Sequence, residues 1–384
     1  SESWLNERRA EEVKSLVREV LADADTRASM QEGGVSAGYN NGFFLGSNDG
    51  KFLLNIAGQL QTRYTFNHRE GSAPEDTWVH GFSLPRTKLF FDGHIGSPKI
   101  EYHVILQSRS FDSGDSFGGV FVEEAWVQGN VADNVAVYGG RVAYAFDRLG
   151  GLDTRYLTTL ERYATGSFDY GNWTGAGVKV DFNDSARLNV MVFNQYGEFF
   201  DGVEYGLAGR AEFKLAGDWA QYTDTSAWSG EGTLSVIGVG AMYQQGREGT
   251  DSTVDEDRLF SLTADYSHEV NGLGLLVAAY YNQNFDSANY YHTYGFIGQA
   301  SYFFVADKFE GYARAEYYNN KEGDGEEFFA TLGVNYYLAK HASKFTFELN
   351  YAKYAIFGSE SGFLGQADGD RNQIFASAQF QLLF

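Results

Sequence analysis

The chain has 384 residues and a formal net charge of −22, from 51 acidic against 29 basic side chains, and it contains no cysteine. The charge argues against a nucleic-acid partner, whose phosphates need a basic surface, and the missing cysteine excludes disulfides, thiol nucleophiles and thiolate metal sites. Aromatic residues make up 17%, with 46 Gly and only 3 Pro, a mixture suited to many strands and tight turns rather than to a helical enzyme.

Residues 1–30 stand apart from the rest. From Trp4 to Ala24 the chain is rich in helix formers and free of Gly and Pro. Ala10, Val13, Val17, Val20 and Ala24 recur at spacings of three and four, which predicts an amphipathic helix with one apolar stripe. About two heptads are too few for a stable isolated helix, so the stripe must meet something. Two partners are open: the same helix of neighbouring subunits in a short trimeric coiled coil, or the rim of the chain's own barrel. Residues 31–50, with Gly33-Gly34 and Gly38-Tyr-Asn-Asn-Gly42, read as a linker.

From Lys51 the period changes to two. Phe52, Leu54, Ile56, Gly58, Leu60, Tyr64 and Phe66 share one face, and Asn55, Gln59, Gln61 and Arg63 the other. Such a run is longer than an ordinary soluble strand and long enough to cross a bilayer at a tilt. No stretch reaches the roughly 18 apolar residues of a membrane helix, and mean hydropathy is −0.35, but alternating barrel strands average out near such a value. Similar runs recur to the end of the chain, where Ile374, Ala376, Ala378, Phe380, Leu382 and Phe384 face away from Gln373, Ser377, Gln379 and Gln381. The expectation is an all-β transmembrane antiparallel barrel of about 16 strands over 51–384, preceded by a periplasmic helix.

The connections alternate too. Gly96-Ser-Pro, Val131-Ala-Asp-Asn, Asn183-Asp-Ser and Asn271-Gly are short, whereas 67–79, 110–118, 245–256, 319–327 and 358–371 are longer, polar and acidic. Short turns belong on the periplasmic side and long loops outside. Residues 217–232 break the rule, with Trp219, Tyr222 and Trp228 where a tight turn is due. The acidic loops serve solubility or bind divalent cations that bridge them to each other or to lipopolysaccharide; no other cofactor or metal is expected. A terminal Phe384 after an alternating strand looks like the signal read by the outer-membrane barrel-assembly machinery. Such a chain is exported, and one beginning at Ser1 is read as processed.

The stretch 82–163 resembles the phosphate-selective porin O/P family. The run Phe82-Ser-Leu-Pro-Arg-Thr-Lys-Leu-Phe-Phe-Asp-Gly is similar to its second strand, and Phe121-Val-Glu-Glu-Ala-Trp-Val to the next. Residues 138–163, with Leu157-Thr-Thr-Leu-Glu-Arg162, resemble the family's approach to its pore-constricting loop, although Ala145-Phe146 stands where the family has Pro-Phe. The resemblance implies a 16-stranded barrel, usually a homotrimer in the outer membrane of a Gram-negative-type bacterium. It also implies a long loop after strand five folded into the lumen, here 146–171.

In a diffusion pore, selectivity comes from charges lining a narrow wet lumen. Arg141, Arg148, Arg155 and Arg162 place four guanidiniums in 22 residues of that loop and its preceding strand, and planar guanidinium forks suit carboxylate or phosphate. Alternation adds Arg63, Arg86, Lys88 and Arg109 to the lumen side. Acids such as Asp92, Glu101, Glu123, Glu212 and Glu316 share that face and would pair with some of these bases. The expected function is therefore passive diffusion of small hydrophilic solutes and ions, anion- or phosphate-preferring if the arginines are free. The alternative is a weakly selective or cation-preferring general porin with a structural role in the envelope. Catalysis is not expected: there is no Gly-x-Ser-x-Gly motif, and of the 7 His only His94 and His103 would meet, across a hairpin.

Overall fold

The computed structural model describes residues 34–40, 42–69, 78–108, 119–143, 146–164, 168, 171–195, 203–246, 258–285, 291–320, 325–353 and 372–384. The expected helix over 1–30, most of the long acidic loops, and Arg109 lie outside the described residues.

A short hairpin, β1 (Val35–Tyr39) and β2 (Phe43–Ser47), precedes the barrel. The wall begins with β3 (Phe52–Arg69), β4 (Trp78–Ile95), β5 (Ile100–Ser108), β6 (Val120–Ala132), β7 (Val135–Ala143) and β8 (Asn172–Asn183). It continues through β9 (Ala186–Gln195), β10 (Val203–Ala216), β11 (Leu234–Gly246), β12 (Arg258–Val270) and β13 (Leu273–Asn284). Then come β14 (Tyr291–Val305), β15 (Phe309–Asn320), β16 (Gly325–Ala339), β17 (Ser343–Lys353) and β18 (Asn372–Leu383). Each strand from β3 onward pairs antiparallel with the next, and β18 returns to β3 from Gln373↔Arg69 to Leu383↔Gln59. The result is a closed barrel of 16 strands, β3 to β18, with no free edge in the wall.

Closure uses the last residue. Phe384 N–H donates to the Gly58 carbonyl at 3.1 Å and its carbonyl accepts from Gly58 N–H at 2.6 Å. Where β18 stops, β2 takes over the same edge of β3, from Phe43↔Ile56 to Gly46↔Leu53. The short turns follow their local chemistry. At Asn271-Gly272 both residues have positive φ, 50° and 83°, the mirror-image turn whose twist matches two antiparallel strands.

Alternation along the strands separates two environments. In β17, Lys344, Thr346, Glu348 and Asn350 are buried within the barrel, while Phe347 and Leu349 are about half exposed on the outside. Val277, Phe296, Leu332 and Ile374 continue that outer band around the wall. Rows of aromatic rings bound it. On the short-turn side Phe304 stacks on Phe309, Phe309 on Tyr336, and Phe345 on Phe380. On the long-loop side Tyr64 meets Phe82, Phe66 meets Trp78, and Tyr281 meets Tyr294. From Phe345 to Tyr351 along β17 is about 20 Å at roughly 3.3 Å per residue, or about 15 Å across the membrane at a strand tilt of about 40°. Of the adjacent tyrosine pairs, Tyr280 and Tyr337 point inward and are buried, while their neighbours Tyr281 and Tyr336 take the outer face.

An outward-facing apolar residue at mid-strand sits in hydrocarbon, so Leu349→Arg should destabilise the barrel by about 2–4 kcal/mol in lipid. Urea unfolding from vesicles measures this, and a change within about 0.5 kcal/mol would contradict a lipid-facing position.

Candidate pore constriction

If the lumen were open, its wall would be polar throughout. Instead β13 to β18 turn Leu276, Tyr280, Ile297, Tyr318, Phe329 and Phe375 inward. These cover Leu149, Tyr163, Ala164 and Phe168 of the loop after β7, so the loop is drawn inside by an apolar core of its own. Glycines on the wall leave room for it. A Cβ at Gly240 would lie 1.9 Å from the Phe146 carbonyl oxygen, and one at Gly295 would lie 2.6 Å from the Phe168 ring.

Polar groups then fix the loop in place. Asp147 is buried and accepts from the Leu149 N–H at 2.8 Å and the Gly150 N–H at 3.1 Å, and from the hydroxyls of Tyr163 and Tyr280. Burial pushes its carboxyl up, against the pull of those bonds. Farther along, Lys344 Nζ donates to the Leu157 carbonyl, Asn335 to the Thr158 carbonyl and Arg314 to the Glu161 and Arg162 carbonyls. Carboxylates of the wall accept loop N–H groups: Glu348 from Leu160, and Glu316 from Ala164, each at 3.1 Å. The loop lies across the lumen against β3, β4 and β13 to β18.

The arginines expected to line the pore are, for the most part, used in this packing. Arg63 reaches Glu161 at 2.6 Å and Gln379 at 2.9 Å, and Arg86 binds the other oxygen of Glu161 as well as Gln61. Burial alone would raise the Glu161 carboxyl, but the Arg86 and Arg63 guanidiniums outweigh it and hold it at about 2. Lys88 is paired with Glu123 at 2.6 Å. Arg155 is paired with Asp153 at 2.6 Å and lies over the Phe90 ring at 3.7 Å. Arg162 donates to the Leu152 carbonyl at 2.8 Å. Arg148 donates to the Asp224 carbonyl at 2.8 Å and lies 3.8 Å over the Tyr222 ring. Arg141 is placed differently from the sequence expectation. It pairs with Ala125 and Thr174 on the outward face of β7, opposite the inward Tyr138 and Val142, and its Nε donates to the Glu123 carbonyl. His94 and His103 do not meet either: His103 binds Asp92, and His94 binds the Gly50 carbonyl.

The sequence marks the connection after β10 as irregular but assigns its residues no role in the lumen. Residues 217–233 turn back into the barrel from the short-turn side, and Tyr222, Ser226 and Trp228 are buried there. Thr158 of the loop receives a hydrogen bond at its hydroxyl or donates one to Thr225 at 2.8 Å, and its N–H donates to the same hydroxyl at 3.0 Å. Trp228 packs on Phe303 and Tyr337. The unusual length and three aromatics of this connection were the only available signal.

Together the two segments fill the lumen along β12 to β18 and leave a cavity of about 560 Å³ beside β6 to β10. Its lining carries four bases, Arg148, Lys179, Arg187 and Arg210, and five acids, Glu124, Asp133, Asp147, Asp181 and Glu212. Arg210 is paired with Glu212 and Asp265, and Arg187 with Glu212. Arg148 and Lys179 form no salt bridge among the described residues; Lys179 donates to Gln128 at 2.9 Å and lies over the Trp126 and Tyr138 rings.

No protein-family model matches the sequence, and none of the curated proteins matches it. Solved structures match over nearly the whole chain. An anion-selective porin from Comamonas acidovorans aligns with a TM-score of 0.66 at 13% identity, over 87% of this chain and 100% of that one. OmpF of Salmonella typhi, in complex with daunomycin, aligns at 0.58 and 12% identity, over 90% and 100%. The outer membrane channel DcaP of Acinetobacter baumannii aligns at 0.56 and 10% identity, over 86% and 97%. The chain has the porin fold. An apolar belt between two aromatic rims on this porin barrel places it in the outer membrane of a Gram-negative-type bacterium.

The Glu161 clamp generates two predictions. Since burial among arginines holds this carboxyl at about 2, below the usual 4.5, its contribution is complete above about pH 4.5 and is lost only as pH falls through about 2. Loop protection from protease in the reconstituted barrel should therefore stay constant from pH 7 to pH 5; a step within that window would show that another group controls the loop. Glu161→Gln leaves two buried guanidiniums without a counter-charge, at a cost to the loop of about 3–5 kcal/mol. Protease sensitivity at 146–164 should rise, and unchanged protection would contradict the clamp.

Proposed function

We propose that this chain is a trimeric porin for passive diffusion of small hydrophilic solutes and ions, with the permeation path running off-axis between the loop and the wall from β6 to β10. The observation that carries this reading is the polar cavity of about 560 Å³ left beside that wall, with charges of both signs along it. Bases and acids nearly balance there, and the bases at Arg187 and Arg210 are already neutralised. Weak ion selectivity follows, because an ion shedding part of its water meets compensated charge.

A modest anion preference is the second reading, and one observation favours it: Arg148 and Lys179 face the cavity without a carboxylate partner among the described residues. It would then rest on these two rather than on Arg155 or Arg162, which Asp153 and the Leu152 carbonyl occupy. The similarity of 82–163 to the phosphate-selective porin O/P family, and a matching structure described as an anion-selective porin, point the same way. Phe384, hydrogen-bonded to Gly58 at the seam, suits recognition by the barrel-assembly machinery as the final strand closes. Divalent cations bridging the acidic outer loops to lipopolysaccharide belong to the same proposal.

Purified protein in a planar bilayer under a KCl gradient should conduct, with a reversal potential near zero or slightly to the anion side. Arg148→Ala combined with Lys179→Ala should remove any anion bias. Block of chloride current by added phosphate would establish the phosphate-preferring reading, and absence of conductance would overturn the channel reading in favour of an envelope scaffold.

A further inference from the structure

The connection of residues 217–233 is out of proportion to its place. The other turns on that side, such as 96–99, 133–134, 184–185 and 271–272, hold two to four residues. This one turns inward and meets the loop that enters from the opposite side of the membrane, through Thr158 and Thr225. We propose that residues 217–233 form the second wall of the constriction and that Tyr222 is its specificity-determining residue. The proposal rests on the channel reading above.

Tyr222 lines the same cavity as Arg148, Arg187 and Arg210, and all three guanidiniums converge on it. Arg210 Nη2 donates to its hydroxyl at 3.1 Å, Arg148 Cζ lies 3.8 Å from the ring centroid, and Arg187 Cζ lies 5.5 Å from it. Three like charges gathered around one ring repel one another unless something fixes their spacing. Glu212 and Asp265 neutralise Arg187 and Arg210, but Arg148 has the ring face and a main-chain carbonyl as its seat. Its Nε is buried without a partner among the described residues, which makes the ring contact its main anchor on that side. Trp219 closes the arrangement from the periplasmic side, stacked under Arg187 at 4.0 Å and bonded through Nε1 to the Asp184 carbonyl at 2.9 Å. The ring thus sets both the width of the aperture and the position of Arg148, which has no carboxylate partner among the described residues.

Single-channel recording of the full-length barrel tests this. Tyr222→Ala should raise conductance roughly twofold and move the reversal potential measurably, because a bulky wall is removed and Arg148 is released. Tyr222→Phe keeps the ring and should stay near the wild-type conductance. A second variant, with residues 218–231 replaced by Asn-Gly, should conduct at least as well as Tyr222→Ala, and it serves the test if Tyr222→Ala does not fold. Folding is checked by heat-shifted migration on gels. Wild-type conductance and reversal potential in both folded variants would overturn the proposal while leaving the channel reading intact. A wild-type barrel that does not conduct would overturn both.

Discussion

The grip of Arg63 and Arg86 on Glu161 is the interaction on which the interior depends. A loop crossing a wide barrel carries polar main-chain groups into a space that it also dries, and every one of them needs a partner. Glu161 brings one carboxylate to two guanidiniums of adjacent strands, β3 and β4, and pins the loop to the seam where the barrel closes. From that point the main chain on either side is offered to Lys344, Asn335 and Arg314 from the far wall. Without the clamp these donors would face an unanchored segment. With it, wall and loop satisfy each other.

The same arrangement underlies the weak selectivity proposed above. Bases are plentiful on the inward face, but most hold a loop, a neighbouring strand or the inserted turn in place. Charge that fixes structure is unavailable to a passing ion. The proposed path keeps to one side of the lumen, where the inward residues of β6 to β9 keep partial exposure while those of β12 to β17 are largely buried. The cavity lies off-axis because an apolar core, built from Leu276, Tyr280, Ile297 and Phe329 against Leu149 and Phe168, occupies the other side.

Much of the wall was legible from the sequence because alternation has a strict period. The first strand's Gln59, Gln61 and Arg63 and the last strand's Gln379 and Gln381 face the lumen as their parity dictates, and they bond one another across the seam. The strand count and the odd connection at 217–232 followed from the same rule. Arg141 was misplaced because it was grouped with the loop arginines instead of being counted in register with Ala125. The partners of Arg155 and Arg162 could not be read at all, since pairing inside a folded loop has no period. The clearest unused signal was the set of apolar residues at inward parity on β13 to β18, which marks a lumen meant to be filled.

In the proposed channel one side of the lumen is packed shut and the other is open. Because the chain has no native cysteine, single cysteines report accessibility without background. Asn189→Cys lies on the open side and Thr346→Cys on the closed side. A small water-soluble methanethiosulfonate reagent applied to conducting channels should label Asn189→Cys quickly and reduce its current, and should leave Thr346→Cys unmodified. Equal rates at the two positions would contradict an off-axis pore.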